Sequence, residues 1–417
     1  MFMKKQNKKR GFTITELVVV IAVIAILSAV LIPTFTGIIA KSKLSADQQA
    51  VRNMNVQLST MTEDKTVEKA MATLDEAGFN ALDTLVPTSK GHAFYWDNTA
   101  NTVVLVKGDK VVYPKNYKNA FNASWVNLRD DGVKYIDVPV ADVKDFTAAL
   151  MSGAKEVTLD KDVAITGTIA VAEGAKTVID LNGKKLNAAK NDSRPFNVTG
   201  NTELTINATG STVNVGKYGL VNVAAGSNAK VEIVGGTYIA NENGDNGAFI
   251  KVRNNATANI TLNNVNYVDT TGENYIVNAY GATASNLTVI GGTYKARGGF
   301  NVGNGTFTNV TIETEGVCME ISGTTTVTGC TLTSGTWYDG CAAACVAVGY
   351  SGIATVTNCT IKAATHGLSI LPGSNDFDGA ITATNLTFVD TAVQYYNYDN
   401  TAVGYIEVDG TVVLGTK

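Results

Sequence analysis

The pattern of apolar and polar positions changes twice along the chain. Residues 17–32 are apolar except for Ser28. Over residues 41–58 the apolar side chains recur every three or four positions, which is typical of an amphipathic helix. From about residue 155 onward, short runs of alternating apolar residues are separated by Gly and Asn, which predicts strands joined by tight turns. The pattern therefore predicts a mainly β protein that begins with one long helix.

The apolar N-terminal segment is long enough to cross a membrane. A helix over residues 17–40 would be about 36 Å long. Five cations before it favour a cytoplasmic start: Lys4, Lys5, Lys8, Lys9 and Arg10. A cleaved secretory signal is disfavoured, because the candidate site Ile38-Ile39-Ala40 has a bulky residue where signal peptidase needs a small one. A plain membrane anchor leaves Glu16 unexplained, since a lone carboxylate at the edge of an apolar span costs a few kcal/mol.

Residues 11–17, GFTITEL, resemble the cleavage and methylation motif of type IV pilins and type II secretion pseudopilins. The resemblance implies that a prepilin peptidase removes the leader, residues 1–11, by cutting after Gly11, and that the new terminal residue Phe12 is methylated. It also implies that Glu16 pairs with the terminal amine of Phe12 in a neighbouring subunit. Such a pair suits an apolar bundle in which neither charge is tolerated alone.

Pro33 lies where this family often has a proline that weakens the helix. A proline removes one backbone hydrogen bond and lets the helix bend or break. The pilin-like helix is predicted to cover residues 12–60.

Residues 61–135 are predicted to form a small α+β head. The spacing of apolar residues predicts a helix over Thr66–Ala77. Three strands follow, at Ala93–Trp96, Thr102–Lys107 and Lys110–Tyr113. A spine helix, a short helix and a small antiparallel sheet resemble the head of a Gram-positive pseudopilin.

Residues 136–417 are predicted to form a parallel β-solenoid, because from about residue 155 the sequence repeats with a period of about 25. One phrase ends in Thr or Asn followed by a large apolar residue, at 233–238, 262–267, 289–294, 307–312, 327–332, 356–361 and 383–388. A second phrase, two apolar residues spaced two apart, separates these copies. Each copy predicts at least two strands that bury their inner face only by stacking on other copies.

This repeat resembles the right-handed parallel β-helix of pectate-lyase-like proteins. The resemblance implies that a short amphipathic helix over Ala141–Met151 closes the first coil, with Val143, Phe146 and Leu150 as its apolar stripe. Covering the open edge in this way prevents pairing with other chains.

The repeat alignment places four of the five cysteines in two equivalent pairs, Cys318 with Cys345 and Cys330 with Cys359. Equivalent positions in adjacent coils lie about 4.8 Å apart, within the range of a disulfide. Stacked buried thiols are favoured for Cys330 and Cys359, whereas thiols and a disulfide stay equally open for Cys318 and Cys345. Without CxxC pairs or a neighbouring His, no metal site and no cofactor are predicted.

The charge and the composition of the chain argue against two classes of function, nucleic-acid binding and catalysis. Lys and Arg number 33 against 37 Asp and Glu, so no nucleic-acid partner is expected. Many β-helix proteins cleave acidic polysaccharides, but the repeat region has only three Arg, at 194, 253 and 297, and only one His, His366. Its close acidic pair, Asp376 and Asp378, fits a turn in which the carboxylates cap the backbone. A catalytic site is therefore not predicted.

These observations predict a structural surface protein: a minor or specialised subunit of a type IV pilus or a type II secretion-like pseudopilus. Its helix would lie in the cytoplasmic membrane before assembly, and its β-helix would be displayed on a filament for adhesion or carbohydrate binding. The expected partners are a prepilin peptidase, other pilin subunits, the membrane and a surface glycan. Two alternatives remain: a membrane-tethered polysaccharide lyase or hydrolase, and an anchored surface protein that never polymerises.

Overall fold

The structure is a computed structural model of the 417-residue chain. It describes residues 14–61, 66–79, 84–129, 137–140, 142–188, 194–242, 247–280, 282–336, 343–349, 351–371, 379–397, 404–415 and 417, without the side chains of 15, 26–34, 137–139 and 284. The chain divides into two compact units, residues 1–129 and 130–417. The predicted fold class, a mainly β chain with a long N-terminal helix and a parallel solenoid, is confirmed.

The first element is helix α1, Ile14–Ser59, which has 46 residues. Its C-terminal half buries the predicted stripe, including Val51, Met54 and Leu58. The helix continues through position 33. The side chain of Pro33 lies outside the described side chains, so the predicted weakening of the helix there stays a prediction.

The rest of the first unit is the predicted α+β head. Helix α2, Val67–Glu76, is capped by Thr66, whose side chain accepts a hydrogen bond from the backbone N–H of Lys69. The strands are antiparallel, in the order β3-β2-β1-β4: β1 His92–Asp97, β2 Thr102–Lys107, β3 Lys110–Tyr113 and β4 Val126–Asn127. The predicted helix and three strands are confirmed, and β4 is an additional strand.

The second unit begins with the predicted capping helix, α3, Val143–Ser152. The Asp142 carboxylate caps it by accepting hydrogen bonds from two backbone N–H groups of the first turn, at 2.8 and 2.9 Å. Phe146 and Leu150 are buried, as predicted. Val143 is 40% exposed and does not belong to the buried stripe, because it is the first residue of the helix.

The described strands of the second unit form three long sheets, here called sheets I, II and III. Sheet I has 13 strands: Asp137–Val140, Glu156–Leu159, Lys176–Asp180, Glu203–Asn207, Asn228–Val234, Thr257–Asn263, Ala284–Ile290, Asn304–Thr308, Thr324–Thr328, Ile353–Thr357, Gly379–Thr384, Gly404–Val408 and Thr411–Gly415. Sheet II has 10: Val163–Ala164, Leu186–Asn187, Thr212–Asn214, Thr237–Ala240, Asn266–Asp269, Thr293–Ala296, Thr311–Thr314, Thr331–Ser334, Thr360–Ala363 and Thr387–Phe388. Sheet III has 10: Ile169–Ala170, Phe196–Val198, Val221–Val223, Ala248–Val252, Tyr275–Asn278, Gly298–Val302, Met319–Ile321, Ala344–Val348, His366–Ile370 and Val393–Asn397.

Each complete coil contributes three strands, one to each sheet. The first sequence phrase spans the corner between sheets I and II, and the second phrase is the strand of sheet III. At the corner the backbone has a positive φ, for example +53° at Asn264 and Asn358 and +65° at Gly329. Only Gly and Asn adopt this conformation readily, which explains why the repeat keeps one or the other there.

Equivalent residues of successive coils pair in parallel register, as the repeat alignment predicts. In sheet II the pairing stacks Tyr238 on Tyr267 and Tyr267 on Tyr294, all buried. Sheet I ends with the strand Thr411–Gly415, which pairs antiparallel to its neighbour. The hand of the coil stays a prediction.

Candidate functional sites

The N-terminal half of α1 exposes apolar side chains on all its faces. The exposed fraction is 47–58% for Leu17, Val18, Val19, Val20, Ile21, Val23 and Ile24. Phe35, Ile38 and Ile39 are exposed to a similar extent. Because consecutive helical residues point in different directions, no single contact with the same chain would cover them. This apolar surface is suited to burial against a molecule other than its own chain.

The predicted processing and assembly residues lie at the start of this surface. Gly11 and Phe12 fall outside the described residues. Glu16 lies in the first turn of α1, and its side chain is exposed. A carboxylate there is favoured by the positive end of the helix dipole, and it is accessible to a second molecule.

The C-terminal half of α1 is held to the head by two polar side chains. Asn55 binds the start of β2, where its side-chain oxygen accepts from the Val103 N–H at 2.7 Å and its amide donates to the Val103 carbonyl at 2.9 Å. Asp47 is buried and accepts hydrogen bonds from the backbone N–H and the hydroxyl of both Thr88 and Ser89. Neither residue belongs to the apolar stripe that the sequence predicts for α1, so sequence reasoning missed both.

The four described cysteines are free, buried thiols. Cys318 donates to the Thr333 carbonyl at 3.2 Å, and Cys345 donates to the Leu332 carbonyl at 3.4 Å. In the other pair, the backbone N–H of Cys330 donates to the sulfur of Cys359 at 3.4 Å. Burial raises the pKa of the Cys318 thiol, so it stays protonated and unreactive at neutral pH.

A row of polar side chains runs along the outer face of sheet III, one from each successive strand. Its members are Asn197, Asn222, Lys251, Asn278, Asn301 and Glu320, and we refer to them as the sheet III row. The Asn222 amide donates to the Asn197 oxygen at 2.7 Å, which links neighbouring coils. The row offers polar side chains, four of them amides, at regular intervals of about 4.8 Å.

A groove of about 410 Å³ opens beside Asn301 and Glu320, at the C-terminal end of this row. Its lining includes Asn301, Asn304, Glu320 and Ser322, together with Tyr280, whose side chain is 65% exposed. Amides, a carboxylate and a hydroxyl beside an exposed aromatic ring can hydrogen-bond and stack on a polar ligand such as a sugar.

Two titratable side chains of the solenoid, Asp269 and His366, have structural partners. The buried Asp269 accepts hydrogen bonds from the backbone N–H groups of Thr271, Glu273 and Asn274. His366 stacks on Tyr396, with 3.9 Å between ring centroids, and burial lowers its pKa.

Asp376 and Asp378, the acidic pair noted in the sequence, lie outside the described residues. Within the described part of the chain, no group of His, Cys, Asp and Glu side chains is arranged to hold a metal ion.

Comparison with known proteins separates the two ends of the chain. Residues 6–32 match the family model described as the prokaryotic N-terminal methylation motif. The chain thus joins a prepilin-type methylation motif to a β-solenoid. No curated protein matches this sequence. A solved structure titled "L. reuters 100-23 SRRP" is similar at 15% identity, covering 65% of this chain and 98% of that one with a TM-score of 0.38. Over the described residues, no helix meets the length and hydropathy required to span a membrane.

Proposed function

We propose that this protein is a minor or specialised subunit of a type IV pilus or a type II secretion-like pseudopilus that displays its solenoid for adhesion. Before assembly the apolar half of α1 lies in the cytoplasmic membrane as a single span. After cleavage at Gly11 it packs among the helices of neighbouring subunits. The N-terminal methylation motif supports this proposal, because the motif implies processing by a prepilin peptidase.

The observation that carries the proposal is the contrast within α1. Val51, Met54 and Leu58 are buried by the head of the same chain, whereas Leu17 to Ile24 are exposed on every face. Each exposed Val, Leu or Ile that becomes fully covered contributes about 2 kcal/mol. Lipid and neighbouring helices can both bury these side chains. A filament subunit is buried by lipid before assembly and by the helices of neighbouring subunits after it.

The adhesive part of the proposal rests on the solenoid surface. The sheet III row and the groove beside Tyr280 present amides, a carboxylate and an aromatic ring to solvent. Surface glycans carry hydroxyl groups that pair with such amides, so a glycan is the partner we propose. The proposal assigns no catalytic role to the solenoid.

Glu16→Ala tests the assembly role, and Glu68→Ala is its matched control. Glu68 is also an exposed carboxylate in the first turn of a helix. We expect Glu16→Ala to be processed normally but to be lost from sheared filaments, because the N-terminal amine of the neighbouring subunit loses its buried partner. Glu68→Ala should be incorporated like the unmodified protein.

Two results would contradict the proposal. Equal incorporation of Glu16→Ala would favour an anchored surface protein that does not polymerise. Mass spectrometry of the exported protein should show N-methyl-Phe12 as its first residue, and any other first residue would exclude processing as a pilin.

A further inference from the structure

Three cations lie on sheet III or at the ends of its strands, beside the Asn197 and Asn222 end of the sheet III row, and they repel one another electrostatically. Lys251 is a member of the row, and Arg253 follows it at the end of the strand Ala248–Val252. Arg194 precedes the strand Phe196–Val198, two strands away in the same sheet. We refer to Arg194, Lys251 and Arg253 as the basic cluster.

The hydrogen bonds of the basic cluster go to neutral amides. The Lys251 ammonium donates to the side-chain oxygen of Asn278 at 2.7 Å. Arg253 Nε donates to the side-chain oxygen of Asn222 at 2.8 Å. With respect to the described residues, no carboxylate forms an ion pair with any of the three cations.

Arg194 is the exceptional member. It retains only 9% of its surface, and its Nε is fully buried without a hydrogen-bond partner among the described residues. Burial, followed by repulsion from Arg253, lowers the pKa of Arg194 to about 10. Burial and repulsion from Arg253 and Arg194 likewise lower the pKa of Lys251 to about 8. A buried guanidinium without a counter-charge is costly, and an incoming anion would relieve that cost.

Other cations of the solenoid are placed differently. Lys176 pairs with Glu203 at 2.7 Å, and Lys295 pairs with Glu313 at 2.7 Å. Arg297 contacts Glu273 at 2.6 Å. In these three pairs a carboxylate of an adjacent coil neutralises the cation, and the basic cluster departs from that arrangement.

We propose that the basic cluster binds a tetrahedral oxyanion, the phosphate or sulfate ester of a substituted surface glycan. Guanidinium and ammonium groups form short, charge-assisted hydrogen bonds with such oxyanions, and two arginines provide the planar donors that suit them. The amides of Asn197, Asn222 and Asn278 flank the cluster and would meet sugar hydroxyls on either side of the ester. This inference rests on the proposed display of the solenoid for adhesion and names the chemistry of its ligand.

The direct test is calorimetric titration of the full-length protein, in a non-ionic detergent, with inorganic phosphate and with sulfate. We expect Lys251→Gln and Arg253→Gln each to weaken binding about tenfold, the effect of one charged hydrogen bond. Lys295→Gln is the matched control, because it removes an exposed cation that is already paired with Glu313. Binding should also weaken as NaCl is raised.

Arg253 is exposed, so its variant should fold normally even if a change at Arg194 does not. A Lys251→Gln, Arg253→Gln double variant that binds both anions like the unmodified protein would overturn the proposal. So would an equal loss of binding in Lys295→Gln, since this would indicate a general surface-charge effect.

The source of the ester is resolved by three polymers: polyglycerol phosphate, dextran sulfate and uncharged dextran. Tighter binding of polyglycerol phosphate assigns a phosphodiester, and tighter binding of dextran sulfate assigns a sulfate ester. Equal affinity for uncharged dextran would contradict an oxyanion site. Filament incorporation is measured separately, so anion binding and the proposed assembly role can fail independently.

Discussion

Helix α1 and the solenoid are both rich in apolar side chains but use them in opposite ways. The solenoid buries Leu262 and Tyr267 completely, because each coil is covered by the coils before and after it. Among the described residues of its unit, the N-terminal half of α1 has no such neighbour, and Leu17 and Ile24 stay exposed. A repeated strand can supply its own cover, whereas one helix needs a partner. We therefore expect the apolar residues of the solenoid to stabilise its fold, and those of the N-terminal half of α1 to mediate association with other molecules.

The largest effect is expected when the same substitution, Leu to Ala, is made in the solenoid and in helix α1. Leu262→Ala should lower the free energy of unfolding by about 3–4 kcal/mol, because it leaves a cavity in the solenoid core. Leu17→Ala should change it by less than about 0.5 kcal/mol, since the side chain is 55% exposed. Denaturant titration of both variants in the same detergent measures the two values. Equal losses would show that the N-terminal half of α1 is also buried within its own chain.

The head extends the comparison, because it depends on side-chain hydrogen bonds where the solenoid depends on backbone ladders. The buried Asp97 carboxylate accepts from the N–H groups of Thr99 and Ala100, from the Tyr117 hydroxyl at 2.7 Å and from the Asn119 amide at 2.8 Å. Burial alone would raise the pKa of Asp97, but these hydrogen bonds outweigh it and hold the pKa below its usual value of 3.8.

Asp97→Ala should therefore lower the stability of the head by about 3 kcal/mol, because several donors lose their acceptor. Since the pKa of Asp97 is lower in the folded state, its contribution is present above about pH 4 and is lost as the pH falls through the folded value. Fluorescence of the buried Trp125 across an acid titration reports this loss. Asp109→Ala, at an exposed turn, is the control. An unchanged acid midpoint in Asp97→Ala would contradict this role.

Much of the fold follows from the sequence because its signals repeat. Apolar residues at 25-residue intervals predict the stacking in sheets II and III, and the apolar stripe of α1 predicts Val51 and Met54 as buried. Single polar residues such as Asp47 and Asn55 leave no periodic signal, so their binding to the head was found only in the structure. The sequence predicts at least two strands for each coil without resolving the third, because the repeated phrase spans the corner between two strands. The basic cluster depends on a register across two coils that sequence spacing does not display.

The smallest expected effect concerns those corners, which allow the solenoid to cover itself. Asn358 has φ = +53°, and its side-chain oxygen accepts from the Asn385 amide of the next coil at 2.7 Å. Asn358→Ala should lower the free energy of unfolding by about 1–2 kcal/mol, because Ala pays the full cost of a left-handed backbone.

Asn358→Gly separates this backbone cost from the lost hydrogen bond between amides. Glycine adopts a positive φ freely, so its destabilisation should be less than half that of Asn358→Ala when both are measured by denaturant titration. If the two variants lose the same stability, the amide contact between coils, and not the backbone conformation, explains why Asn occupies the corner. The equivalent corner at Gly329 argues for the backbone, because Gly has no side chain with which to make that contact and still adopts φ = +65°.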